Sequence, residues 1–383
     1  MPGTLVGNLG EPIRLTDANM CGFAAEAAQG GGLVKVLQRA ALTSDDPSFH
    51  RLVESLDSVL THLAQQAGRA ISLARADTVL LVIRPDNTAE LWVDTAAVAM
   101  MALVKRSILA GTVVFESDIA DVTAMRFPCV EIGVPDRVLC LFREAWRFGL
   151  AFDFNPEGDL SLQEFERTLG TLHRRLKYRH LYDTVADADV FGRLVEAGWF
   201  PFAEIIGSEF RALANAAEAG FSLAEAEGNL LTKFGPERLE RMFERWAANP
   251  HFGPKAPILR SAVNGYNDGD PVAVLKIVLT EIEGILAAAH RAATGEGAKL
   301  KGLLAFAVRA AEQKAGGPDT LLLPAAFARY LDAYTFASFD PSAGPGATVS
   351  RHAIGHGAAD AAAYTQTRAL QALLTFDQIA FGV

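Results

Sequence analysis

The spacing of hydrophobic residues divides the chain into a mixed first part and a helical second part. Before residue 159, short apolar runs with alternating or β-branched residues are separated by turn-forming residues such as Pro85-Asp86-Asn87, a pattern typical of a small antiparallel sheet. The predicted strands cover residues 78–84, 89–93, 129–132, 138–143 and 148–154. Helical spacing predicts helices at residues 33–42 and 49–67. We therefore expect an α+β region of unknown role at residues 1–158.

From residue 159 onward the hydrophobic spacing is helical almost to the end of the chain. The first helix has a capping-box pattern, Ser161 and Glu164, at its start. Its apolar positions recur every three or four residues, which predicts a seam for packing or dimerisation with basic residues on the opposite face. The seam comprises Leu162, Phe165, Leu169, Leu172 and Leu176. This helix opens a helical connector that we predict at residues 159–250.

A separate all-helical domain is predicted at residues 251–383. Asp270 and Pro271 supply an N-cap and a first-turn proline. The helix that follows has a core-type apolar face, formed by Leu275, Val278, Ile282, Ile285 and Ala289. Further helices are expected at residues 300–313, 324–336, 350–356 and 366–381, with a loop at residues 340–346. The predicted fold class is therefore α+β, with a small antiparallel sheet first and a helical bundle last.

Charge and composition limit the function classes. The 383 residues include 35 basic and 45 acidic side chains, and the resulting net charge of −10 argues against a general DNA-coating protein. Half of the residues are hydrophobic, so the chain has enough apolar material for packed cores and is not disordered as a whole. Three cysteines, Cys21, Cys129 and Cys140, are too few for a disulfide framework or a four-cysteine zinc site.

The sequence contains no apolar stretch long enough for a membrane helix. Its longest uninterrupted apolar run covers nine residues, 96–104, whereas about 20 are needed to cross a bilayer. Glu11, Arg14 and Asp17 lie where a signal peptide would be apolar. We therefore expect a cytoplasmic protein without a membrane partner.

One short segment, residues 350–357, combines groups suited to phosphate chemistry. It places Arg351, a permanent cation, within one or two helical turns of two titratable imidazoles, His352 and His356. A guanidinium binds phosphoryl oxygens with two donors, and a histidine exchanges protons with a ribose hydroxyl near neutral pH. This scheme requires no metal ion or other cofactor. The spacing alone is a weak signal, because His173, His180, His251 and His356 all follow an arginine at such a distance.

The segment resembles the active-site motif of the HEPN superfamily, in which four residues, the first of them polar, separate an arginine from a histidine. Its surroundings are similar to an abortive-infection-like bacterial subgroup: Tyr364-Thr365 precedes an apolar C-terminal helix, and a turn at residues 266–270 leads to residues 281–285. The resemblance covers about residues 255–383. Nuclease members of the superfamily are all-helical, metal-independent RNA endonucleases of toxin–antitoxin, abortive-infection and RNA-processing systems, and two copies of the motif meet across a dimer interface.

The resemblance implies a metal-independent endoribonuclease of a defence, toxin or RNA-processing type. Arg351 would bind the scissile phosphate, His356 would act as general acid or base, and His352 would be the polar residue after the arginine. Ser350 would position the turn, and Glu283 would support the site. The resemblance also implies an RNA substrate, a homodimer, and an antitoxin or regulatory protein as a partner. The N-terminal region would sense a trigger or restrain the domain.

Three alternatives to RNA cleavage stay open at this point. His352 and His356 have the i, i+4 spacing of a helical metal site, for which Glu281, Glu283 or Asp360 would supply a third ligand. The segment could instead be a structural helix cap. The domain could also be a non-catalytic scaffold that dimerises and binds RNA or a protein.

The densest basic cluster lies on the helix that begins near Ser161. It comprises Arg167, His173, Arg174, Arg175, Lys177, Arg179 and His180. Arg174, Arg175, Lys177 and Arg179 are candidate RNA-binding residues, but a solvated helix face explains them without any ligand, and we favour that interpretation. Elsewhere, Glu283 and His290 lie seven residues apart and are expected to form a supporting hydrogen bond or a solvated pair.

Overall fold

The chain forms two compact units, and its α+β fold class is confirmed. The computed structural model describes residues 7–24, 27–154, 159–338 and 350–383. The first unit comprises Met1–Met101 and Val122–Arg179, and the second comprises Ala102–Asp121 and His180–Val383. The predicted loop at residues 340–346 lies outside the described residues.

The strands of the described residues belong to a six-stranded antiparallel sheet and two small two-stranded sheets. They are β1 (Ile13–Leu15), β2 (Phe23–Ala24), β3 (Val36–Leu37), β4 (Arg39–Thr43), β5 (Thr78–Ile83), β6 (Ala89–Val93), β7 (Ala99–Val104), β8 (Ile119–Arg126), β9 (Arg137–Glu144) and β10 (Arg147–Asp153). The large sheet has the order β1-β6-β5-β9-β10-β4, whereas β2 pairs with β3 and β7 with β8. The predicted hairpin is confirmed as β5 and β6.

The central strand β5 is buried on both faces. Leu81 belongs to a core that includes the apolar face of α1 (Phe49–Gln66), and Leu80 belongs to a second core that includes the leucines of α2 (Leu162–Lys177). Burial on both sides explains why β5 is a continuous apolar run rather than an alternating one. The leucine seam of α2 therefore packs within the first unit.

Two predicted elements of the first unit are wrong. Residues 33–42 are not helical but contain β3 and most of β4, and Leu42 of β4 lies opposite Leu150 of β10. The strand partner lies far along the chain, so no local pattern reveals it, and tertiary pairing overrides the local helical spacing. Residues 129–132 form a turn and a bend followed by irregular backbone instead of a strand.

The helix α2 begins at the predicted position but without the predicted capping box. Its N-cap is Ser161, whose side chain makes no cap hydrogen bond. Because α2 packs on β10 and β4, it belongs to the first unit, which ends at Arg179 rather than at residue 158. No separate unit corresponds to residues 159–250, since the second unit runs continuously from His180 to Val383.

The second unit is helical in its described residues from His180 onward. Its helices are α3 (Arg179–Ala186, beginning at the end of the first unit), α4 (Ala188–Glu196), α5 (Ser208–Glu218), α6 (Ala224–Lys233), α7 (Pro236–Ala248), α8 (Ala256–Asn267), α9 (Pro271–Thr294), α10 (Leu300–Ala315), α11 (Pro324–Tyr330), α12 (Arg351–Gly355) and α13 (Gln366–Gly382). A π-helical turn, Leu331–Thr335, continues α11. None of the helices in the described ranges is long and apolar enough to span a membrane.

Local sequence patterns correctly predicted the positions of the later helices. Asp270 caps α9 by accepting a hydrogen bond from the backbone N–H of Ala273, and the predicted apolar face of α9 is buried. The final helix α13 is buried from Ala369 to Gly382 and packs against α9 and α10. It is therefore the central helix of the second unit, and every polar side chain on it needs a partner.

Gly170 allows α2 to approach β8 closely. A Cβ atom at this position would lie 2.7 Å from the Cα atom of Ala124. A glycine-to-alanine change inside a helix normally stabilises it by up to about 1 kcal/mol. At this position we expect the opposite, because the strand backbone must move.

Gly170→Ala is therefore predicted to destabilise the first unit by about 1–3 kcal/mol. The measurement is hydrogen–deuterium exchange of peptides from α2 at increasing urea concentration. The matched control is Gly192→Ala in α4, where a Cβ atom would meet nothing within 4 Å and stability should rise slightly. If the two substitutions change stability by the same amount, the explanation that Gly170 is required for close packing of α2 on β8 is wrong.

Candidate functional site

The short helix α12 carries the arginine and the first histidine of the predicted motif, and the second histidine follows directly as its C-cap. Ser350 is the buried N-cap, and its Oγ accepts a hydrogen bond from the backbone N–H of Ala353 at 3.3 Å. Ala353 and Ile354 are buried and anchor the helix. Gly357 follows with φ of 67°, a left-handed conformation that favours glycine after a helix. Ser350 therefore caps the first turn of α12.

Arg351 is held by an ion pair to α9. Its Nη2 atom lies 2.6 Å from Oε2 of Glu283, and both side chains are about one-third exposed. Glu283 therefore supports α12 rather than pairing with His290, whose Nδ1 instead lies 3.0 Å from the backbone oxygen of Glu296. A partly exposed pair of this kind contributes about 0–1 kcal/mol to stability, so its main effect is to orient the guanidinium.

The two imidazoles of the motif are accessible to solvent. His352 is half-buried and His356 is exposed at the C-cap of α12, where its backbone N–H donates to the backbone oxygen of His352 at 3.1 Å. Residues four apart on a helix have Cβ atoms about 5–6 Å apart. Neither imidazole has a hydrogen-bond partner among the described residues. The geometry therefore presents one oriented guanidinium and two solvent-accessible imidazoles within about one and a half helical turns.

The candidate third ligands of the zinc alternative have other partners. Glu281 pairs with Lys255 at 2.9 Å, Glu283 pairs with Arg351, and Asp360 accepts a hydrogen bond from the backbone N–H of Ala362. No group of three or more His, Cys, Asp or Glu side chains with metal-binding geometry occurs in the described part of the chain. Each candidate third ligand is thus engaged in another interaction.

The basic cluster on α2 is not a uniform solvated face. Arg174 is buried, with Nη1 donating to the backbone oxygen of Val122 and Nη2 to Oγ1 of Thr171 at 3.0 Å. Arg179 lies 2.9 Å from a carboxylate oxygen of Asp45. The interpretation of Arg174 as a solvated or RNA-binding residue is therefore wrong, because its donors bind within the first unit.

Of the remaining candidates, Arg175 is exposed and Lys177 is half-buried. The ring of His173 lies 6.5 Å from that of Phe142 of β9. Burial lowers the pKa of His173 to about 4, with smaller contributions from the charges of Lys177 and Arg174. Its Nδ1 atom lies 3.5 Å from Oε2 of Glu144, but burial has the larger effect on the imidazole. His173 is therefore neutral in the folded protein near pH 7.

Sequence analysis missed a buried ion network in the second unit. It contains three basic and three acidic side chains, Lys105, Arg238, Arg245, Glu204, Glu209 and Asp377. Arg238 pairs with Glu204 at 3.0 Å and with Glu209 at 2.9 Å. Arg245 donates to both carboxylate oxygens of Asp377 at 2.7 Å and approaches Glu204 at 3.1 Å.

Further donors complete this buried ion network. Trp246 donates from Nε1 to Asp377 at 2.7 Å, and the Asp377 side chain is only 1% exposed. Lys105 donates to the backbone oxygen of Glu204 at 3.4 Å, and burial lowers the pKa of Lys105. Arg245 also donates to the backbone oxygen of Lys105. Because its donors and acceptors bind one another, the network is a structural clamp rather than a reactive site.

One residue of this buried ion network could have been identified from the sequence. Asp377 interrupts the apolar run of α13, and an acidic residue inside a buried helix requires a cationic partner. The identity of that partner, Arg245, is not encoded locally, because the two residues lie on helices far apart in the chain.

Comparison with known proteins adds no relative. No protein-family model, curated protein or solved structure matches this chain. The HEPN resemblance of residues 255–383, the RNA substrate and the homodimer therefore stay predictions.

Asp377→Asn is predicted to destabilise the second unit by about 3–5 kcal/mol, since it leaves the buried charge of Arg245 without its main partner. The matched control is Glu240→Gln, which removes a pair to Arg260 that is even shorter but far more exposed and should cost about 0–1 kcal/mol. Urea unfolding monitored by hydrogen exchange of α13 peptides measures both. If the two substitutions lower the free energy of unfolding by similar amounts, burial does not determine how much the network contributes to stability.

The first unit is predicted to lose stability as the pH falls from 7 to 5. In the unfolded chain His173 has an ordinary pKa of 6.5 and binds a proton in this range, whereas the folded protein, with a pKa of about 4, does not. The free energy of unfolding therefore falls by about 2 kcal/mol on account of this residue. His173→Gln should lack that contribution in urea unfolding at the two pH values. Identical pH dependence of variant and wild type would refute the assignment.

Proposed function

We propose that the second unit is a metal-independent endoribonuclease of the HEPN type, with its phosphate site on α12. The observation that carries this proposal is that one arginine, oriented by Glu283, and two solvent-accessible imidazoles lie within six consecutive residues at a short capped helix. An arginine provides five N–H donors, and the ion pair engages Nη2. Donors of Arg351 are therefore left for the oxygens of an RNA phosphodiester.

In the proposed reaction the ribose 2′-oxygen attacks phosphorus and the bond to the 5′-oxygen breaks. His356 accepts the proton of the 2′-hydroxyl, and His352 donates a proton to the leaving 5′-oxygen. The products are a 2′,3′-cyclic phosphate and a 5′-hydroxyl end. Arg351 stabilises the negative charge that increases on the phosphoryl oxygens in the transition state.

Two features support this division of roles. The i, i+4 spacing of His352 and His356 places the imidazoles on the same side of α12, as required for a base and an acid that act at one phosphate. Both have solvent access, so an RNA strand can reach them. Ser350 and Glu283 act as positioning residues, because Ser350 caps α12 and Glu283 orients Arg351.

The test is cleavage of total RNA and of a defined single-stranded RNA by the full chain in EDTA. We expect wild type to leave cyclic-phosphate and 5′-hydroxyl ends, and His356→Ala and Arg351→Ala to reduce the rate at least about 100-fold. His62→Gln in α1 of the first unit is the control and should cleave normally. If His356→Ala still cleaves RNA at the wild-type rate, the assignment of the active site to His356 is wrong.

A second measurement separates catalysis from binding. RNA affinity of wild type and Arg351→Ala is measured at two salt concentrations, because phosphate contacts weaken as salt rises. Binding that depends on Arg351 without any cleavage would favour the non-catalytic scaffold. If the wild-type protein neither binds nor cleaves RNA, the proposal for α12 is overturned.

A further inference from the structure

The tip of one hairpin in the first unit exposes a tryptophan. Trp146 is 74% exposed, whereas the other three tryptophans of the chain, Trp92, Trp199 and Trp246, are buried. It lies in the two-residue turn between β9 and β10, after Ala145, and belongs to neither apolar core of the unit. Exposure alone identifies no site, because single apolar side chains are common on protein surfaces. The neighbours of Trp146 therefore decide what it can bind.

An arginine stacks on this tryptophan. The Cζ atom of Arg147 lies 4.5 Å from the centre of the Trp146 ring, a cation–π contact. Its Nη1 atom donates to the backbone oxygen of Leu176 at 3.3 Å, which connects the hairpin tip to the last turn of α2, next to Lys177. Among the described residues Arg147 forms no ion pair. A cation without an acidic partner thus lies beside an open aromatic ring.

Further positive charge lies on the other face of the hairpin. Arg147 pairs with Glu144 of β9, and since successive strand residues point to opposite faces, Arg143 lies on the face away from Arg147. The Nη2 atom of Arg143 donates to the backbone oxygen of Ala74 at 2.6 Å. Arg75, the next residue, is exposed and forms no ion pair within the described ranges. Cations therefore flank Trp146 on both sides of the hairpin tip.

The acidic side chains nearby neutralise these cations only in part. Asp77 approaches Nε of Arg143 at 3.4 Å, and its side chain is 81% exposed. An exposed pair of this kind adds little stability, so another anion can replace Asp77 at low cost. Glu144 approaches His173 on α2 at 3.5 Å. Neither acid forms an ion pair with Arg147, so its charge is available to an anionic ligand.

An exposed indole between cations suits single-stranded nucleic acid. Proteins bind single strands by pairing basic groups with phosphates and by stacking bases on aromatic rings. Arg147 covers one face of the Trp146 ring, and the high exposure leaves the other face open to a base. A duplex keeps its bases stacked on one another, so its base faces cannot use the ring in this way.

We propose that the tip of the β9–β10 hairpin binds single-stranded nucleic acid. One base stacks on the open face of Trp146, and phosphates on either side of it pair with Arg147 and Arg143. The proposed site lies within the first unit and does not depend on RNA cleavage by α12.

The test is a fluorescence titration of the full chain with a single-stranded oligothymidylate of about 12 nucleotides. DNA lacks the 2′-hydroxyl that the reaction proposed for α12 requires, so the signal reports binding alone. Because Trp146 is the exposed tryptophan, we expect saturable quenching of tryptophan fluorescence. Affinity should fall about 20-fold between about 50 and 200 mM salt if about three phosphate contacts form. The duplex with oligoadenylate should bind at least about tenfold more weakly.

Variants are compared by the anisotropy of a labelled oligothymidylate, because Trp146→Ala removes the fluorescent ring. Trp146→Ala should weaken binding about fivefold to 100-fold, whereas Trp146→Phe keeps an aromatic face and should retain part of the affinity. The double substitution Arg143→Gln with Arg147→Gln should weaken binding at least about tenfold and reduce its salt dependence. The matched control is Phe221→Ala in the second unit, since Phe221 is also 74% exposed; it should bind as wild type does.

Two results would overturn the proposal. One is wild-type protein whose fluorescence is not quenched by oligothymidylate at about 50 mM salt, a measurement that needs no variant to fold. The other is unchanged affinity in Trp146→Ala. Quenching should persist in Arg351→Ala, so failure of the site on α12 and failure of this site are distinguishable.

Discussion

The withdrawal of six balanced charges from most of their contact with water is the constraint on which the second unit depends. Removing a carboxylate or guanidinium from water costs several kcal/mol even after relaxation, and only close, multiply hydrogen-bonded partners offset this cost. Arg245 reaches Asp377, Glu204 and a backbone oxygen of residue 105. The helices α7 and α13, the turn at residues 203–205 and the segment 102–121 must therefore come together in a single arrangement. A loose or shifted packing of any of them would leave a buried charge without a partner.

This clamp explains why a segment from the first part of the chain folds with the second unit. Residues 102–121 are bound at both ends: Lys105 belongs to the buried ion network, and Asp121 accepts hydrogen bonds from the side chain of Thr320 and the backbone N–H of Leu321. Asp121 is fully buried, so its carboxylate also depends on these donors. Polar groups, rather than apolar area alone, thus determine which unit the segment joins.

The same framework positions the chemistry that is exposed to solvent. The helix α13 is fixed by Asp377 and packs against α9, which carries Glu283 and thereby orients Arg351. Arg351 shares the short helix α12 with His352, and its guanidinium is oriented by the ion pair to α9. The candidate site therefore combines one oriented guanidinium with two solvent-accessible imidazoles.

The sequence alone determined those features whose hydrogen-bond partners lie only a few residues apart in the chain. Asp270-Pro271 and Ser350 predict helix starts because their partners lie within the next turn, and the turn at residues 85–87 predicts the hairpin of β5 and β6 for the same reason. Alternation and helical spacing likewise predicted the α+β class and the approximate position of α12. The arginine and two histidines of that segment were therefore identifiable without a structure.

Tertiary structure decided every feature whose partner lies far along the chain. Residues 33–42 have helical spacing, yet the edge of β10 makes β4 a strand, and Arg174 is buried because β8 offers it a carbonyl oxygen. The pairing of Glu283 with Arg351 is also a matter of helix packing. Local pattern reports which residues prefer burial or a turn, but the energy of a buried charge depends on groups that only the complete fold brings within hydrogen-bond distance.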